Sequence, residues 1–139
     1  MKPIGFVSLV LIAVLILLSG CTTPGSDGNG GLSVPTPGPV QTLPPGKDVT
    51  IQINEKDTSF ATITVIFSGG EGQIAVSDIL VQVTHPDGKV LTGHLPAEKG
   101  AELVFEGTRD TDRIEVYVTL NTGITYKIID RLLPFRTRA

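Results

Sequence analysis

ILVQVTHPDGKVLTGHL, residues 79–95, decides the fold. Ile79, Val81 and Val83 alternate with Leu80, Gln82 and Thr84, the period-two pattern of a half-buried strand. His85-Pro86-Asp87-Gly88-Lys89 then offers Pro for the first turn position, Asp for the second and Gly for a left-handed third. This chemistry predicts a three-residue hairpin loop closed by His85 and Lys89. In that register Val83 faces Leu91 and Ile79 faces Leu95, whereas a two-residue loop would set Val83 against Thr92. Matching apolar to apolar selects the odd loop.

The same rhythm extends in both directions. Strands are expected over 49–53, 62–67, 79–84, 89–95, 101–106, 113–120 and 124–132, separated by turn material such as NEKD and SGGEGQ, with no convincing helical stretch. About seven short strands in residues 48–139 imply an all-β domain, an immunoglobulin-like antiparallel β-sandwich. Asn121-Thr122-Gly123 closes a second hairpin, pairing Leu120 with Ile124, Val118 with Tyr126 and Val116 with Ile128. Its other face then carries Arg113, Glu115, Tyr117 and Thr119 across from Arg131, Ile129, Lys127 and Thr125. Charged groups around an outward tyrosine make Arg113, Glu115, Tyr117 and Lys127 the candidate recognition face.

Chemistry-bearing constellations are sparse. His85 and His94 fall on opposite faces of the first hairpin and about 15 Å apart along its ladder, too far to share a metal ion. Asp110 and Asp112 in GTRDTDR have the spacing of two calcium ligands, but no third spaced carboxylate follows, so a solvated turn is expected. SGGEGQ has neither the Lys-Ser/Thr nor the following helix of a phosphate loop. There is no G-x-S-x-G elbow. No catalytic, cofactor-binding or metal-binding residue is therefore expected, and no cofactor. The formal net charge of −3 offers nothing to nucleic acid. The single cysteine excludes a disulfide within the chain.

That cysteine ends the N-terminal segment. Lys2 supplies positive charge, residues 4–18 form an apolar run, and Ser19-Gly20 are small, the tripartite form of a secretory signal peptide over 1–20. Leu18-Ser19-Gly20-Cys21 resembles the lipobox of lipoprotein signal peptides. The resemblance implies cleavage before Cys21 and lipid on its sulfur, which places the mature chain on the extracytoplasmic face of the cell membrane. Gly5-Phe6 is similar to the cut site of type IV prepilins, although Val10 stands where bacterial pilins have glutamate. Residues 21–47, rich in Pro, Gly, Ser and Thr, read as a disordered linker without a core. The tail from Arg131 is basic and amphipathic, suited to covering a sheet edge.

The run from SGGEGQ through VTHPDG to GTRDTDRIEVYVTLNTGITYKIID is similar to extracellular β domains of archaeal (methanogen) surface lipoproteins and pilin-like proteins. This resemblance implies an envelope protein on the outer face of an archaeal membrane. The expected function is a non-catalytic binding or structural module of the cell envelope. Its partners would be membrane lipid through Cys21 and an envelope protein or glycan. The alternatives are a pilin-like filament subunit and an accessory subunit of a membrane-associated enzyme.

Overall fold

The computed structural model describes residues 33–137. The expected signal peptide, Cys21 and the first part of the expected linker lie outside them. The strands are β1 (Thr50–Ile53), β2 (Ile63–Gly69), β3 (Val76–Thr84), β4 (Val90–His94), β5 (Glu102–Phe105), β6 (Asp112–Leu120) and β7 (Thr125–Leu133), with one 3-10 turn at Gln73–Ala75. They form two antiparallel sheets, ordered β1-β2-β5 and β4-β3-β6-β7. The expected seven-stranded immunoglobulin-like sandwich is the observed fold.

Alternation in the sequence becomes burial between the sheets. Ile63, Val65 and Phe67 of β2 face Ile79, Val81 and Val83 of β3 and Ile114, Val116 and Val118 of β6, and all nine are fully buried. Each such side chain contributes about 1.5–3 kcal/mol by leaving water, so these three strands hold the sandwich together. Leu43, Leu95, Phe105, Leu120 and Leu133 close the ends of the core.

The first hairpin has the expected register: Val83 pairs with Leu91, Leu80 with His94, and the His85 N–H donates to the Lys89 carbonyl at 2.8 Å. The second follows expectation only from its turn to the Tyr117–Lys127 pair. Between Val116 and Tyr117 the ladder shifts, so Val116 faces Ile129, Glu115 faces Asp130 and Arg113 faces Leu132. The expected pairings of Val116 with Ile128 and of Arg113 with Arg131 are thus corrected by a β-bulge at Ile128. The bulge removes a facing pair of arginines, which would repel.

The linker also differs from expectation at its C-terminal end. The Gln41 N–H donates to the Lys127 carbonyl at 2.7 Å, and the Leu43 side chain enters the core. One leucine among prolines found a place between the sheets, which composition does not reveal. The chain then crosses the 69–75 loop so closely that a Cβ on Gly72 would lie 2.0 Å from the Lys47 carbonyl oxygen. Gly88, by contrast, has φ 88° and open space around it.

These two glycines predict different penalties. Gly72→Ala forces the 47–48 crossing apart and is expected to cost about 3 kcal/mol, the upper range for overpacking. Gly88→Ala is expected to cost about 1 kcal/mol of backbone strain alone. Urea unfolding of the two variants beside the parent chain measures both.

Candidate functional site

The bulge assembles a charged cluster on the outer face of the four-stranded sheet. Asp130, carried to that face by the extra residue, receives the Arg113 Nε at 2.8 Å and the Arg113 Nη2 at 2.7 Å, a bidentate pair. The Lys127 Nζ adds a third bond at 2.7 Å. Glu115 lies directly opposite Asp130 and is bridged to it by the same two cations, Arg113 Nη2 at 3.0 Å and Lys127 Nζ at 3.6 Å. The Tyr117 hydroxyl donates to Glu115 Oε1 at 3.0 Å, and Gln82 Nε2 donates to Glu115 Oε2 at 3.2 Å.

The four residues expected to share a face, Arg113, Glu115, Tyr117 and Lys127, are therefore brought together. Their polar atoms are tied to one another. Two cations and two carboxylates leave the cluster neutral. A strap from the linker covers it: the Gly38 N–H donates to Asp130 Oδ2 at 2.9 Å, and the Lys127 N–H donates to Gln41 Oε1 at 3.1 Å. The Asp130 side chain is consequently out of solvent although it belongs to an outward face.

The electrostatics follow from the contacts. The Arg113 guanidinium, helped by Lys127 and the Gly38 amide, holds the Asp130 carboxyl well below the usual carboxylate range against the opposing effect of burial. Asp130 in turn raises Arg113 and Lys127. Burial, followed by the bond to Glu115, pushes the Tyr117 phenol up. Asp130, which ionises so readily and is so firmly paired, is suited to fastening.

A second buried ion pair sits in the loops beyond β1 and β5. The Lys56 Nζ lies 2.7 Å from Asp112 Oδ2 with both side chains out of solvent. It also donates to the carbonyls of Thr108 at 3.0 Å and Asp110 at 2.7 Å. Asp112 further accepts the Thr108 N–H at 2.8 Å and its hydroxyl at 2.7 Å. The solvated turn expected at Asp110 and Asp112 is corrected at Asp112, whose carboxylate is fully buried and bound by the chain's own ammonium, while Asp110 stays exposed.

The histidines remain apart, as their register requires. His85 is buried with Nε2 3.0 Å from the Glu106 carbonyl oxygen, and exposed His94 pairs through Nδ1 with Asp78 at 2.8 Å. Among the described residues no group of three or more His, Cys, Asp or Glu side chains could hold a metal ion.

No family model and no curated protein matches the chain. A solved structure that resembles it, a polysaccharide deacetylase from Bacillus cereus, is 11% identical at a TM-score of 0.48. The match covers 64% of this chain and 30% of that one, so the chain spans less than a third of that protein's length.

Both charged sites make predictions. Asp130→Asn is expected to lose about 2 kcal/mol at neutral pH through its charged hydrogen bonds. Because the folded Asp130 carboxyl lies below its unfolded value of about 3.9, its contribution is complete above that pH and declines as pH falls further. The variant should therefore show a shallower loss of stability between about pH 5 and pH 2, measured by urea unfolding across that range. Lys56→Met strands the buried Asp112 carboxylate and should cost about 3–5 kcal/mol, read from the same unfolding curves at pH 7.

Proposed function

We propose that this chain is a cell-surface lipoprotein, held to the extracytoplasmic face of the membrane through Cys21 and displaying one sandwich as a non-catalytic binding or structural module of the envelope. The observation that supports this most directly is the run Leu18-Ser19-Gly20-Cys21 at the end of an apolar segment, followed by a Pro/Gly-rich stretch and then a single β domain. Acyl chains contribute about 0.8 kcal/mol per buried methylene, so two or more on one cysteine suffice for stable anchoring. The polar residues of the Arg113, Glu115, Tyr117 and Lys127 face fit a role inside this architecture. Arg113 and Lys127 hold the Asp130 carboxylate, and Asp130 Oδ2 with the Lys127 backbone in turn holds the strap at Gly38–Gln41. From Cys21 to that strap the intervening residues would reach about 50 Å in polyproline geometry and about 20 Å as a coil. Either span clears the headgroup layer.

Intact mass spectrometry of membrane-extracted protein tests the proposal. The expected mature chain begins at Cys21 and carries acyl mass, and Cys21→Ser moves the protein from the detergent phase to the aqueous phase. A chain beginning at Phe6 would establish the filament-subunit reading in its place. An unprocessed, unacylated chain would refute both.

A further inference from the structure

We propose that Lys56 and Asp112 form a modification site, at which the two side chains condense within the folded chain into an isopeptide bond that ties the loop after β1 to the start of β6.

The reacting groups are already in place. The Lys56 Nζ lies 2.7 Å from Asp112 Oδ2, and only 1% and 0% of the two side chains are exposed. The carboxyl carbon is one bond beyond that oxygen, so nitrogen and carbon stand at about the separation of a near-attack pair, roughly 3–3.5 Å. Neither group can turn away. Two of the three ammonium N–H bonds are given to the carbonyls of Thr108 at 3.0 Å and Asp110 at 2.7 Å. The third points at Asp112, so the lone pair uncovered when that proton leaves is directed at the carboxyl group.

The acceptor is prepared as well. The Thr108 hydroxyl donates to Asp112 Oδ1 at 2.7 Å, and the Thr108 N–H donates to Oδ2 at 2.8 Å. Both bonds draw charge away from the carboxyl carbon, and the hydroxyl stands where negative charge would develop on Oδ1.

Condensation balances without a co-reactant. One ammonium proton passes to Oδ2, the freed lone pair forms the Nζ–Cγ bond, and Oδ1 takes the negative charge under the Thr108 hydroxyl. A second Nζ proton then passes to Oδ2, the Cγ–Oδ2 bond breaks, water leaves, and the carbonyl re-forms at Oδ1. The third proton stays on nitrogen as the amide N–H. Two buried charges become one neutral amide, which relieves the desolvation cost that a buried ion pair carries. Burial also keeps solvent water from the product.

The other ion cluster lacks this arrangement. The Lys127 side chain is 20% exposed and divides its ammonium between Asp130 and Glu115, and the Asp130 carboxylate it meets is already clamped by two donors of Arg113. That carboxylate is held charged and stays in an ion pair. The tie at Lys56 would link the two sheets, since β1 belongs to one and β6 to the other. It goes beyond the envelope-module reading and does not depend on acylation of Cys21.

Peptide mapping of the full-length chain, extracted in detergent, denatured and digested with trypsin, tests the proposal. The expected product is the peptide 110–113 joined through Asp112 to the peptide carrying Lys56, one water lighter than the two together, with no cleavage after Lys56. Fragment ions should place the branch at those two residues. Lys56→Arg and Asp112→Ala should each abolish the branched peptide. A parent chain that gives the two peptides separately, cut after Lys56, would overturn the proposal whether or not the variants fold. So would a loss of water confined to one peptide, which is cyclisation of an aspartate, or a branch at Lys127 in place of Lys56.

Discussion

One additional residue in β7 sets the face taken by every side chain that follows it in the strand. Up to Lys127 the β6–β7 ladder is regular, and after the bulge at Ile128 it is displaced by one. Because side chains alternate with period two, a displacement of one exchanges the two faces. Asp130 is thereby placed on the outer face among Arg113, Glu115 and Lys127, and Arg131 is turned to the open side of the sandwich, where it reaches β1. Without the bulge an aspartate would point toward the core and two arginines would confront each other across the ladder. The cluster, the strap over it and the cation at the β1 edge all depend on this one irregularity.

Much of the architecture was legible because its signals are local. Pro86, Asp87 and Gly88 dictate a turn, and Val83 and Leu91 confirm its register within a few residues of it. Seven alternating segments sufficed for the sandwich. The bulge has no such marker, since IIDRLL contains neither glycine nor proline, and regular pairing was the natural continuation. The one available sign was Arg113 facing Arg131 in the regular register, a like-charge pair that one displaced residue removes. Asp130 and its partner Gly38 were missed for that reason, whereas Gln82 was missed because the β3–β6 pairing that sets it beside Glu115 joins strands far apart in sequence. Lys56 was missed for another: its partner Asp112 is far off in sequence, and nothing in NEKD distinguishes a buried lysine from a solvated one. Leu43 was hidden by composition, because the prolines and glycines around it outweigh a leucine until a space between the sheets receives it.

Apolar and charged groups divide the work of this fold. The sheets are joined by branched aliphatics and two phenylalanines, whose contacts are non-directional and tolerate the twist between strands. The irregular segments lack that continuous apolar face and are held by ions at defined positions. Lys56 joins the loop after β1 to the loop before β6 by meeting three acceptors at once, and Asp130 joins the strap to β7 by accepting from two cations and a backbone amide. A buried charge is costly unless every hydrogen bond it needs is present. No buried side-chain nitrogen or oxygen lacks a partner among the described residues. Directional bonds of that kind fix one geometry for loops that hydrophobic burial alone would leave with several.

The position of the strap has a mechanical consequence within the proposed surface-anchored arrangement. Tension from a membrane attachment would enter the domain at Gly38, Gln41 and Leu43, where the strap meets β7 and the core, before it reached β1. The Gln41–Lys127 backbone bond and the Asp130 cluster would bear that load while β1 remained seated on β2. An edge strand that took the load directly would be peeled from its sheet one hydrogen bond at a time. By fastening the chain to the other sheet first, the fold keeps β1 seated on β2, with its Ile53 carbonyl held by Arg131.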